Sequence, residues 1–217
     1  MTPQAVAAAL ARRRGLDEAR TAEIYAAALA ELGEAGYDRM TMDAVARRAG
    51  ASKATLYRHW PGKPELVVDA IRHLRGDAAA ELPDTGSLRD DLRQLLGRAN
   101  SNATHDQVCM MRGMVSACGQ DAELARVFHE RIVEAKRTAA VAILRRAQQR
   151  GDVSDGADIQ FLVDVAPAML VFRHLLTPHE VDDAYLDRLV DDVWLPLLTH
   201  AHHATTDQPA PPMQGEA

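Results

Sequence analysis

The segment TMDAVARRAGASKATLYRHWPGKPEL (Thr41–Leu66) holds the residues whose types and spacing carry the most chemical information. Its spacing meets the demands of two short helices joined by a tight turn. Ala46 is small where the helices must cross. Gly50, four residues on, can supply a turn residue with positive φ, and Leu56, ten after Ala46, provides the apolar plug of the second helix. Thr41 and Ser52 stand where each helix needs an N-cap. Such a pair can lay its second helix in a DNA major groove, which is wide enough for one helix. That chemistry is recognition, without bond making. Asp164, Arg173 and His129 could be imagined as a catalytic group, but no nucleophile elbow, metal box or glycine-rich phosphate loop accompanies them.

A formal net charge of −6 argues against DNA only until its distribution is read. Residues 1–75 carry 12 Lys and Arg against 9 Asp and Glu, a balance of +3; the remainder carries 13 against 22, a balance of −9. The positive end is the one suited to phosphates.

The same stretch resembles the TetR family of one-component transcriptional regulators. The family's pattern is a Thr, an apolar pair ending in Ala, then Ala-Gly-(small)-Ser, an aromatic-rich helix end and a Lys; the likeness covers roughly Ala19–Leu74. By that resemblance Thr41 and Ser52 offer hydroxyls and neighbouring N–H groups to phosphates. Lys53 and Thr55 face base edges, Tyr57 and His59 contact phosphates, and Lys63 clamps the backbone outside the groove. Trp60 packs inward to fix the third helix on the fourth. Ala54 stands where many relatives have Gly, which holds the backbone slightly farther from DNA. Arg12–Arg14 either reach an adjacent minor groove or form a solvated basic tail.

Positioning these side chains requires helices throughout. Aromatics are 4 % of the chain, and Ala, Leu and Arg abound, a mix that favours helix over sheet. A first helix is expected from about Asp17 to Ala35, with an Ile24, Ala28, Leu32 stripe and Gly36 to end it. A fourth starts near Lys63 and runs to about Leu82. Further helices are expected at roughly 87–101, 106–119, 122–150, 156–176 (kinked by Pro167) and 182–200. The fold class is therefore all-α: an N-terminal three-helix helix-turn-helix domain (17–62) after a flexible basic arm (1–16), then a larger helical ligand-binding and dimerisation domain (63–203) and a disordered tail (204–217).

Two surfaces are expected in that larger domain. Leu186, Leu189, Val190, Val193, Trp194 and Leu197, with Phe172, Leu175 and Leu176, form apolar stripes that are either monomer core or, as the resemblance implies, a four-helix homodimer interface. Met110, Met111 and Met114 with Phe128, His129, Phe161, Asp164, Met169 and Arg173 are candidates for an effector pocket, though each taken singly is more often plain core or, for Arg173, more often an ion-pair partner. Cys109 and Cys118 lie nine residues apart, about 13 Å along a helix and on opposite faces, which excludes a mutual disulfide. His200, His202 and His203 have ligand-type spacing but no acidic or Cys companion. No apolar run approaches the ~20 residues of a membrane span, and no secretory signal begins the chain.

The expected protein is a cytoplasmic, ligand-responsive regulator, most simply a repressor, whose partners are a double-stranded DNA operator, a small-molecule effector and a second copy of itself. It uses no cofactor or metal and does not engage a membrane. The alternative is a helical enzyme or interaction module with a vestigial helix-turn-helix, which would be expected to lose Lys53, Tyr57 and Lys63; all three are present.

Overall fold

The computed structural model describes residues 3–76, 82–100 and 104–200, with side chains described from Glu18 onward except that of His105. Among the described residues every regular element is helical. The first is α1 (Pro3–Arg39), which starts well before Asp17. The backbone of residues 3–16 is thus helical where a flexible arm was expected; the alanines of Val6–Ala11 favour helix strongly enough to carry Gly15, at a cost of about 1 kcal/mol. The Arg12–Arg14 side chains lie outside the described set, as does the tail from 204. Gly36 interrupts the helix as expected, at φ 76°.

Next come α2 (Met42–Arg48) and α3 (Lys53–His59). The caps form as the sequence requires: Thr41 Oγ1 accepts from Ala44 N–H at 3.2 Å, and Ser52 Oγ from Thr55 N–H at 3.1 Å. Gly50 adopts φ 60° in the turn between them, and Ala46 and Leu56 are buried against each other's helices. Helix α4 (Lys63–Leu74) ends eight residues short of the expected Leu82, in a turn through Arg75 and Gly76, whose φ is 68°.

The second half comprises α5 (Leu88–Asn100), α6 (His105–Cys118), α7 (Ala122–Phe128), a π turn (His129–Val133), α8 (Glu134–Arg150), α9 (Ile159–Leu162), α10 (Val165–Leu176), α11 (Asp183–Arg188), a second π turn (Leu189–Trp194) and α12 (Leu195–Thr199). The expected helix 122–150 is continuous, with a π turn in its middle and Gly151 at φ 86° stopping it. The expected helix 156–176 is instead two helices that part at Val163–Asp164, upstream of Pro167. Asp158 caps α9 by accepting from Phe161 N–H, so this short turn closes on itself before α10 starts, and Pro167 falls in the first turn of α10, where it displaces no helical hydrogen bond.

Two apolar cores form among the described residues. One joins α1–α4 to Met114, Ala117, Leu124, Val127 and Ile132; the other gathers α5 and α8–α12 around Trp194, whose indole N–H donates to Leu162 O at 3.0 Å. The headpiece and α4 therefore share one core with α6 and α7, and packing does not divide the chain at residue 62. Of the residues expected at a dimer interface, Leu186, Leu189, Val190 and Trp194 are instead interior to the monomer, at most 2 % exposed. The reason is the width of the stripe: the face of the last helices that carries them closes over α5 and α10. Phe172 and Leu176 remain 59 % and 74 % exposed, while Leu175, Val193 and Leu197 are half-buried. Ile159–Leu176, at mean hydropathy 1.5, is apolar enough by length and composition to cross a membrane, which amends the expectation that no such run exists.

Asp91 is the one fully buried carboxylate among the described residues. Burial alone would raise its pKa, but Thr85 donates from N–H at 2.7 Å and from Oγ1 at 2.8 Å, and Arg146 and Arg150 lie at 3.7 and 3.5 Å. The outcome is a carboxyl held below its ordinary value. A depressed folded-state pKa contributes stability that is complete above the unfolded value and lost as pH falls through the folded one. Asp91→Ala should therefore cost about 3 kcal/mol in urea unfolding at pH 7, and the gap from wild type should narrow as pH drops below the ordinary 3.8.

Candidate nucleic-acid interface

The outer face of α3 is built by subtraction. Leu56 is fully buried and Trp60 is 4 % exposed, so Lys53, Ala54, Tyr57, Arg58 and His59 are left facing outward, with Tyr57 53 % exposed. Trp60 packs inward as expected: its ring meets Tyr25 edge-on at 5.5 Å, and its indole N–H donates to Asp69 Oδ2 at 3.1 Å. Asp69 Oδ1 accepts from Arg131 Nη1 at 2.8 Å. One carboxylate on α4 thereby ties the end of α3 to the π turn of the second half.

Each expected contact residue has its own setting. Thr41 and Ser52 are exposed at the N-termini of α2 and α3. The Thr55 hydroxyl is half-buried and shares a 2.9 Å hydrogen bond with Ser52 Oγ, so it braces the cap. Lys53 forms an ion pair with Asp43 on α2. Arg20 donates to Gly50 O at 2.6 Å and so holds the turn from α1. Arg47 and Arg58, exposed in the last turns of α2 and α3, add positive charge that motif reading passed over; their signal is position alone, adjacent to Ala46 and between Tyr57 and His59.

Lys63, the expected backbone clamp, is engaged within the protein. Its ammonium donates to Tyr37 O at 2.8 Å and lies 4.0 Å from the Tyr37 ring centroid, a cation–π contact that turns it toward the end of α1. Tyr37 in turn donates from its hydroxyl to Asp121 Oδ2 at 3.0 Å, and Asp121 caps α7. Burial and that hydrogen bond push the Tyr37 phenol well above the ordinary tyrosine range. Hydrogen bonds from Leu124 N–H, Tyr37 and Glu123 N–H, with the Lys63 charge nearby, hold Asp121 below the usual carboxylate value. Asp69 and Asp121 are thus two separate ties between headpiece and second half.

The expected effector-pocket residues fall into separate groups. Met110, Met111, Met114 and Phe128 pack into the first core, and Met169 into the second. Phe161 is 69 % exposed, Asp164 pairs with Arg137 at 2.6 Å, His129 lies 3.4 Å from Glu134, and Arg173 sits over the Tyr185 ring and donates to Glu180 O. The break at Val163–Asp164 and the division into two cores separate positions that a single kinked helix would have kept in line. A shallow polar cleft of about 500 Å³ lies elsewhere, lined by residues such as Arg145, Gln148, Asp155 and Asp158. Cys118 is partly buried, and burial with nearby Asp121 pushes its thiol up, opposite to what a reactive thiolate needs. The ring of His200 hydrogen-bonds Pro196 O, and His202 and His203 lie outside the described residues.

Two family models match. Residues 24–70 match bacterial regulatory proteins of the tetR family, and residues 82–193 match the tetracyclin repressor-like C-terminal domain. The chain is 38 % identical over 183 residues to an uncharacterized HTH-type transcriptional regulator of Mycobacterium tuberculosis, covering 84 % of this chain and 89 % of that one. It is 37 % identical over 181 residues to the DNA-binding transcriptional repressor TetR of Mycobacteroides abscessus, covering 83 % and 95 %. Among solved structures, the TetR family transcription regulator SCO0332 superposes with a TM-score of 0.66 at 32 % identity, over 83 % of this chain and 98 % of that one. The helix-turn-helix geometry, the all-helical second half and these matches together place the chain in the TetR family of transcriptional regulators, which are DNA-binding proteins and not enzymes.

Proposed function

We propose that this protein is a cytoplasmic repressor that binds a pseudo-palindromic operator as a homodimer and releases it when a small molecule binds the second half. The observation that carries DNA reading is the α3 face: Lys53, Tyr57 and His59 point outward from a helix that Leu56 and Trp60 pin from behind. The relative from Mycobacteroides abscessus is a transcriptional repressor.

Dimerisation is supported by Phe161, Phe172 and Leu176, large apolar side chains exposed on α9 and α10, with half-buried Leu175, Val193 and Leu197 alongside. A soluble monomer rarely leaves such a patch uncovered. A bilayer is the poorer occupant: the same segment carries Asp164, paired to Arg137, and Arg173. A two-fold dimer sets two recognition helices about 34 Å apart, one helical turn of DNA.

Release follows from α4, which is packed between the two halves and held by the Asp69 and Lys63–Tyr37–Asp121 ties. A ligand that tilts α4 changes the separation of the half-sites. The coupling is reciprocal, so operator DNA must weaken binding of that ligand by the same factor.

Selection from a random duplex library should enrich an inverted repeat with half-site centres about 10 bp apart; recovery of no sequence preference refutes the reading. Lys53→Ala should relax preference at one position of each half-site by about 1–3 kcal/mol. Lys63→Ala should instead destabilise the fold by about 1–2 kcal/mol in thermal or urea unfolding, while Lys53→Ala stays within about 0.5 kcal/mol of wild type. The double variant Phe172→Glu, Leu176→Glu should sediment as a monomer and lose most operator affinity.

A further inference from the structure

The Lys53–Asp43 pair joins the first residue of α3 to the first turn of α2, each partner one or two residues after its helix's capping residue, Ser52 or Thr41. Both partners are exposed, the Lys53 side chain at 64 % and the Asp43 side chain at 55 %. A carboxylate at this place is unfavourable for a surface that must meet phosphates, because like charge repels and no interior position shields it. It also neutralises one of the few cations on the recognition helix. Dipole complementation at the start of α2 is the bland explanation for an acid there.

We infer that Asp43 is a positioning residue for sequence reading, an inference that rests on the DNA-binding function proposed above. A lysine ammonium has three N–H donors on a flexible stem. With one donor engaged by Asp43, the ammonium is tethered to the first turn of α2, and two donors remain for paired acceptors such as guanine O6 and N7. Without Asp43 the same ammonium swings to the nearest phosphate, which is present on every sequence. The carboxylate thus keeps Lys53 out of nonspecific contacts and raises the ratio of operator to random-DNA affinity, at little cost to operator affinity itself.

The test uses the full-length protein and two duplexes, one of random sequence and one selected by the wild type from a random library, each titrated at several salt concentrations. Asp43→Asn should tighten binding to the random duplex roughly two- to fivefold per protomer and steepen its log K against log salt by about 1.8, the value for one added phosphate contact on each protomer of the dimer. Binding to the selected duplex should not tighten. In a Lys53→Met background Asp43→Asn should change neither quantity. Equal tightening on both duplexes, or the same gain without Lys53, identifies simple repulsion and overturns the inference. A change in thermal stability with no change in DNA binding identifies dipole complementation and overturns it too. Failure of the wild type to bind any duplex removes the proposed function itself, and this inference with it.

Discussion

Helix α4 is buried on almost every side, and that burial is the constraint on which the rest of the molecule depends. Leu66, Val67, Val68, Ala70 and Ile71 are each at most 1 % exposed, so the helix cannot rest on the headpiece alone. Each fully buried large side chain contributes about 1.5–3 kcal/mol, and those contacts are shared between α1 on one side and α7 with its π turn on the other. The headpiece is therefore not a bead on a tether. Any rearrangement of α6, α7 or the π turn must be accommodated by α4, and only three residues separate α4 from the end of α3.

Polar ties set the angle at which those surfaces meet. The two oxygens of Asp69 are divided between Trp60 and Arg131, and Tyr37 bridges Lys63 and Asp121. Apolar packing is non-directional and tolerates sliding, whereas hydrogen bonds to charged groups are short and oriented. A recognition helix must hold its pitch in the groove, and these ties supply the orientation that Leu56 and Val45 alone cannot.

The acidic second half has a separate logic. Its carboxylates are largely paired within that half: Arg89 with Asp191, Arg93 with Asp187 and Asp183, Arg137 with Asp164, Arg150 with Asp152. Exposed pairs of this kind add little stability each. Among the described residues, α3 exposes Lys53 and Arg58 while α9 and α10 expose Phe161, Phe172 and Leu176, so the two partners proposed for this protein meet different regions of it.

The amino-acid sequence by itself determined what local rules govern: the helical class, the Thr41 and Ser52 caps, the positive-φ turn at Gly50, the buried Ile24–Ala28–Leu32 stripe and the inward Trp60. Spacing and capping act within one or two helical turns, so these features needed no partner element to be legible. Tertiary structure alone decided which apolar stripe is interior and which is uncovered, since Leu189 and Leu176 are alike in sequence and differ only in what packs against them. It likewise decided that Lys63 faces Tyr37 and that Lys53 faces Asp43, because the direction of a long cationic side chain is set by neighbours remote in sequence. The recognition helix read from its spacing stands where it was expected. Its charge, its orientation and its connection to the rest of the chain came from contacts that spacing does not encode.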